Sequence, residues 1–409
     1  MNFNRFILIW LLLGLSKSYA QDSIQSQLDA VKSEITDLKK IEKSHFMIRG
    51  FTQFGLDASS EDLSFNMTSF NPIILWRHGD RFLFESELEM EYMSNIFSLN
   101  LGYASASYLV TKGLVIKGGK ILIPFGTFGE KFHPSWSNKL ASAPLGFGHD
   151  GMVPMADVGV EVKGGVQVGS AKLSYAAYAV NGPRIKDGTE EPTEAGMLSF
   201  ENMNDNNRNK AFGARLGILP LQNSSLELGG SVYYALPGSF KSPFAGDPKL
   251  KDLNYNNVTA LLTALDLCFV KIIQPLSGVL DIKGQYNVSK ISNATYFNPS
   301  DTARYTFQNN ASSYYIQVAF RPSLLDNKVL KNFELVGRYS VYNTPKKSLW
   351  ESEQSQIQFG LDYWFTWRTV IKVSYQINNG TMGGSGMSSM AGMAGMSANV
   401  ILFHIATGF

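Results

Sequence analysis

Beyond its first twenty residues this 409-residue chain has no run of eighteen apolar residues, so hydropathy identifies no membrane-spanning helix. It has a single cysteine, Cys268, which excludes an intramolecular disulfide framework. Net charge is also missing: with Arg5 and Lys17 in the leader, the remainder carries 34 basic and 34 acidic residues. A neutral chain has no general attraction for nucleic acid. Five histidines are scattered over the sequence without a nucleophile elbow, a metal-ligand spacing or a phosphate-binding glycine loop. His133 with Asp150 is the best pair for acyl transfer, and it has no supporting motif. The sequence therefore reads as a non-enzyme without cofactor or resident metal.

What is present begins with an export leader. Arg5 supplies positive charge, Phe6 to Leu15 form an apolar core, and Ser18-Tyr19-Ala20 precedes an expected cleavage before Gln21. The core is too short to cross about 30 Å of hydrocarbon as a helix, and no cysteine follows it to carry lipid. Residues 21–43 place Ile24, Leu28, Val31, Ile35 and Leu38 at spacings of four, three, four and three, the a/d seam of a coiled coil. A helix of this length is marginal alone, so the segment reads as a periplasmic stalk that joins three chains. The alternative is an amphipathic linker helix that folds back on the following domain.

From 44 to 409 the chain alternates apolar and polar residues in short segments rich in Tyr, Phe, Val and Gly. A transmembrane antiparallel β-barrel needs this pattern, because its side chains point by turns to lipid and lumen and its closure leaves no unpaired edge. Sixteen strands are expected, at 45–57, 70–77, 81–93, 97–110, 114–124, 156–164, 172–181, 211–219, 225–236, 258–270, 279–290, 313–321, 333–343, 355–365, 369–378 and 399–409. In the third, Phe82, Phe84, Leu88, Met90 and Tyr92 alternate with Glu85, Glu87, Glu89 and Glu91. A repeat of two cannot lie on one face of a helix, so the glutamates are expected in the lumen. The chain ends with Phe403, Ile405 and Phe409 at alternate positions, similar to the signal recognised by the outer-membrane barrel assembly machinery.

Sixteen strands enclose an aqueous channel rather than a packed core. The long connection 125–155, with Lys131, His133, Trp136, Lys139, His149 and Asp150, is expected to fold inward as a constriction, since ordered loops of this length are usually functional. The lumen is expected to be lined by Arg49, Glu85, Glu87, Glu89, Lys117, Arg215, Asp281, Lys283, Arg321, Arg338, Asp362 and Lys372, together with Asp157, Glu161 and Lys163. These charges either oppose each other across the pore, giving a transverse field, or pair along the wall and stiffen it. A Met-rich stretch within 380–399 (Met382, Met387, Met390, Met393, Met396) has thioethers suited to Cu(I). With no Cys or His in it, it reads more simply as a flexible small-residue loop.

Asn71-Pro72-Ile73-Ile74-Leu75-Trp76, Phe82 to Glu91, and Gly118-Gly119-Lys120-Ile121-Leu122-Ile123-Pro124-Phe125-Gly126 together resemble the porins of the phosphate-selective O and P family and their Bacteroidetes relatives. In many of these a strand ending Gly-Lys-x-x-x-Pro-Phe-Gly enters the third loop. The resemblance covers roughly 45–409 and implies a sixteen-stranded trimeric porin for small hydrophilic solutes. Phosphate selectivity in that family rests on a lumenal ladder of Arg and Lys, where this chain puts glutamates. The alternative is a receptor or adhesin that uses the barrel as a scaffold for its loops.

Overall fold

The structure, a computed structural model, describes residues 28–29, 31–33, 44–58, 63–93, 96–148, 151–189, 192–200, 205–239, 244, 246–247, 250, 252–298, 303–382 and 399–409. The strands are β1 (Ser44–Ala58), β2 (Leu63–His78), β3 (Phe82–Met93), β4 (Ile96–Thr111), β5 (Leu114–Leu122), β6 (Ala156–Val168), β7 (Ala171–Val180), β8 (Arg184–Ile185), β9 (Leu198–Ser199), β10 (Ala211–Leu219), β11 (Leu226–Ala235), β12 (Ala260–Ile273), β13 (Gly278–Ile291), β14 (Thr295–Asn298), β15 (Ala303–Thr306), β16 (Asn309–Arg321), β17 (Phe333–Asn343), β18 (Ser352–Trp364), β19 (Thr369–Met382) and β20 (Val400–Gly408). Sixteen of them form one closed antiparallel barrel, and β8–β9 and β14–β15 are separate two-stranded sheets within the connections. Closure is made by β1 against β20, from Phe51 opposite Gly408 to Ala58 opposite Ile401. The barrel itself then has no sheet edge left to pair with another chain.

One expected boundary needs correction. The second strand starts at Leu63 rather than near residue 70, because Leu63 and Phe65 already present apolar side chains outward, 70 % exposed each. A register shift between Gly55 and Asp57 of β1 accommodates the longer partner. The longest connections, 123–155, 181–210, 236–259 and 292–308, share one rim, and the other has tight turns such as 79–81, 112–113 and 169–170.

The two faces of the wall differ in chemistry. Outward positions include Phe54, Phe212, Leu216, Leu265, Ile316, Leu335, Phe359 and Ile401, all exposed. Such a continuous apolar exterior is far larger than the patches water-soluble monomers leave uncovered. Two bands of aromatic residues sit on this surface. Trp76 with Phe82, and Phe333 with Tyr363 and Phe365, lie near the short-turn rim. Tyr286, Tyr314 and Tyr339 stand in a row toward the opposite rim, with centroids 6.2 and 6.1 Å apart. Aromatic girdles flanking an apolar band are the signature of a barrel in a bilayer. No helix among the described residues is long and apolar enough to cross a membrane.

The inward face is polar over much of its area, with Gln53, Asn71, Gln317, Gln354, Gln356 and Gln358 buried there. Toward the long-loop rim it turns apolar. Tyr178, Val180, Tyr233, Leu262 and Ala264 point inward and join Phe244, Leu253, Tyr255, Tyr296 and Phe307 from the connections in one buried cluster. On this side the loops fold back over the wall and supply an apolar cap. Of the predicted coiled-coil seam, Leu28 and Val31 are exposed residues of a short helical stretch, while Ile24, Ile35 and Leu38 lie outside the described residues. So do the leader and most of the Met-rich segment.

Candidate pore constriction

The connection 123–155 leaves β5 with the ladder still intact, Ile123 N donating to Met155 O at 2.9 Å. It then turns into the lumen at Gly126, which has φ +66°, a conformation that favours glycine. A Cβ at this position would also fall inside the side-chain amide of Gln285. That amide is the anchor: its Oε1 accepts from Thr127 N at 2.8 Å and Phe128 N at 3.1 Å, while Gly126 N donates to Ser231 Oγ at 3.0 Å. A single π-helical turn, Phe128–Phe132, follows. Phe128 packs edge-on against Phe147 and Tyr315, and the latter two rings stand 5.1 Å apart.

The loop is fastened to the barrel by charge. Lys131 Nζ donates to both oxygens of Glu227 at 2.7 and 2.8 Å, and Lys163 donates to Glu130 at 3.0 Å. Lys139 lies 3.3 Å from Asp281 and also pairs with Glu334. Wall cations bind the loop backbone in return: Lys372 donates to the carbonyls of Ser135 and Asn138, and Arg338 donates to Ser142 O at 2.8 Å. Bonds of this charged type contribute about 1.5–3 kcal/mol where they are buried, and about 0–1 kcal/mol where a partner is as exposed as Lys131. Between them Leu140, 1 % exposed, packs on Ala319 and Val336.

Both ends of these contacts shift the loop's own titrations. Burial alone would raise Glu130, but the Lys163 ammonium beside it, with Lys117 and Lys131 farther off, holds its carboxyl below the ordinary value of 4.5. Burial would lower Lys139, and the carboxylates of Glu334 and Asp281 overcome that and keep it above 10.5. Both groups are thus charged at neutral pH.

The lumenal charges pair along the wall rather than facing each other in two opposed stripes. Lys117 meets Glu85 at 2.5 Å, Lys283 meets Asp281 at 3.1 Å, and Lys163 lies 3.5 Å from Glu161. Arg215 forms a fork with Asp266, one arm at 2.8 Å, and reaches Glu227 at 3.2 Å. Asp362 and Lys372 sit opposite each other in register, 0 and 2 % exposed. Arg321 and Arg49 are at the short-turn rim, where Arg321 donates to Lys331 O at 3.0 Å and Arg49 is exposed. Asp157 accepts from Gly182 N at 2.7 Å.

Of the predicted loop residues, Lys131 and Lys139 clamp the loop, and His133 comes within 4.8 Å of Glu87 and Glu89 of the β3 wall. Trp136 lies near Gly408; His149 and Asp150 are outside the described residues. Sequence reasoning missed Gln285, Glu227, Asp266, Glu334 and Gln358. Glu334 and Gln358 lie on the same inward faces as Arg338 and Asp362, so following the alternation two steps along each strand would have found them. Gln285 shares the inward face of Asp281 and Lys283, but its anchoring role depends on a loop 158 residues away in the chain.

The fold, a closed wall of sixteen antiparallel strands, recurs in solved structures. The outer membrane channel DcaP of Acinetobacter baumannii matches with a TM-score of 0.52 at 12 % identity, covering 90 % of this chain and 98 % of that one. The fold is that of the outer-membrane porins. Similar in the same way are OmpF of Salmonella typhi, solved in complex with daunomycin (TM-score 0.53, 11 % identity, 90 and 98 % covered), and the trimer form of OmpT, an outer membrane protein of Vibrio cholerae (TM-score 0.51, 11 % identity, 90 and 99 % covered). No protein-family model and no curated protein matches the chain.

Proposed function

We propose that this barrel is an outer-membrane pore for passive diffusion of small hydrophilic solutes or ions, with 123–155 as its constriction. The observation that carries the reading is the pairing of an apolar, aromatic-banded exterior with a polar, charged inner face that a clamped loop crosses. In this reading Phe6–Leu15 belongs to an export leader, and Phe403, Ile405 and Phe409 present the assembly signal. Ile24, Leu28, Val31, Ile35 and Leu38 join three chains through a stalk; the trimer form recorded for the OmpT structure supports that stoichiometry. Membership in the phosphate-selective O and P family rests on the motifs around Asn71 and Gly118. The experiment is conductance in a planar bilayer with purified protein. Stepwise ohmic currents in groups of three are expected, and silence at all voltages would reject the pore.

A second reading has an observation of its own. The connections 181–210, 236–259 and 292–308 pack into one apolar body at the long-loop rim, as a binding platform would. A silent protein whose loops resist protease at that rim would favour a receptor or adhesin.

A further inference from the structure

We propose that Glu87, Glu89 and His133 form a site for a divalent transition-metal ion, with zinc as the probe, at the point where the inward loop meets the β3 wall. One ligand atom from each residue lies within 4.8 Å of the others. Tetrahedral zinc with Zn–N and Zn–O bonds of about 2.0–2.1 Å needs donors about 3.3 Å apart, a contraction that side-chain rotation supplies. The donor set is mixed: one imidazole and two carboxylates suit zinc and its first-row neighbours, whereas magnesium prefers six oxygens.

Three features beyond proximity point to a ligand. The Nδ1 of His133 is 2.7 Å from Gly129 O, so Nδ1 donates to that carbonyl and Nε2 is the nitrogen left for a ligand, the orientation that a backbone carbonyl gives to metal-binding histidines. The two carboxylates occupy alternate positions of one strand face and are buried, 1 and 8 % exposed. The wall is also shaped for Glu89. The β3–β4 ladder shifts register between Glu87 and Leu88, and a Cβ at Gly102 would come within 2.6 Å of Glu89 Oε1. An irregularity of this kind re-aims side chains, and here it leaves room for a carboxylate where any other residue would displace it.

The site stands on the inward face whether or not solutes pass, so it is tested by binding rather than by current. The folded full chain in detergent, stripped with chelator, is titrated with ZnCl2 by calorimetry. One zinc per chain with Kd in the micromolar range or tighter is expected, weakened at least about tenfold in His133→Ala, Glu87→Gln and Gly102→Ala. Co2+ in place of zinc should give visible d–d bands that His133→Ala removes. His133 lies on the loop, so its variant keeps the barrel, checked by unchanged heat-modifiable migration, even if a wall variant misfolds. Absence of saturable zinc binding would overturn the site, and so would an affinity that His133→Ala leaves unchanged.

Discussion

The ammonium of Lys139 stands 3.3 Å from the carboxylate of Asp281, joining a loop that springs from β5 to strand β13 elsewhere on the barrel's inner face. Lys139 also binds Glu334 on β17, and the three side chains are 15, 9 and 4 % exposed. Lys139→Met keeps most of the side chain's length and removes its charge. Stranding one member of a buried pair costs about 3–5 kcal/mol. Here the cost should be about 2–3 kcal/mol, because ion pairing with Lys283 and a hydrogen bond from Trp364 remain to the two carboxylates. The loop should be cleaved faster in limited proteolysis and single-channel conductance should rise. Equal conductance and equal cleavage would show that the clamp does not hold the constriction.

Gly126→Ala tests the entry of the loop separately from its charges. The φ of +66° costs alanine about 1–2 kcal/mol, and the new methyl group meets the Gln285 amide that anchors Thr127 and Phe128. The loop should undock while the strand ladder persists. Circular dichroism should keep its β signal while the protease sensitivity of 123–155 increases. Adding Gln285→Ala relieves the clash but removes the acceptor, so it should not restore protection.

Acid should release the same loop through Glu130. Its carboxyl lies below the ordinary 4.5 in the folded protein because the Lys163 pairing overcomes burial. A group depressed on folding stabilises fully above its unfolded value and loses that contribution as pH falls through the folded one. No change is expected between pH 7 and 5, followed by loosening below about 4.5. Tryptophan fluorescence or conductance against pH would follow it. Glu130→Gln should be looser at pH 7 and lack the Glu130-linked acid step; a step of the same size in the variant would assign it to another group.

All sixteen barrel strands were legible in the sequence because alternation is local: Phe82 to Tyr92 with its interleaved glutamates needs no partner to be read. Strand β2 was shortened because Leu63 and Phe65 stand among Ser64, Asn66, Thr68 and Ser69, a mainly polar stretch that resembles a loop. The lumen was only half legible. Glu85 and Lys117 face inward by parity, yet their pairing depends on the β3–β4–β5 register, which no single strand states. The apolar cap was missed for a similar reason. Tyr233 and Leu262 were counted as ordinary members of alternating strands, and what covers them comes from connections whose path depends on the finished barrel. Nor could spacing alone connect Glu87 and Glu89 to His133.

The exterior supplies the test on which the membrane reading depends. Leu265 lies midway along β12, points outward and is 67 % exposed, whereas Leu276, in the turn after β12, is 58 % exposed at the short-turn rim. If the apolar band faces hydrocarbon, arginine at the two sites should differ by depth rather than by exposure. Leu265→Arg should lower the free energy of refolding into lipid vesicles by about 2–4 kcal/mol and Leu276→Arg by about 0–1 kcal/mol. In a water-soluble barrel both leucines would be surface residues and both substitutions would be near neutral. Comparable small penalties would therefore reject the bilayer as the solvent for this wall.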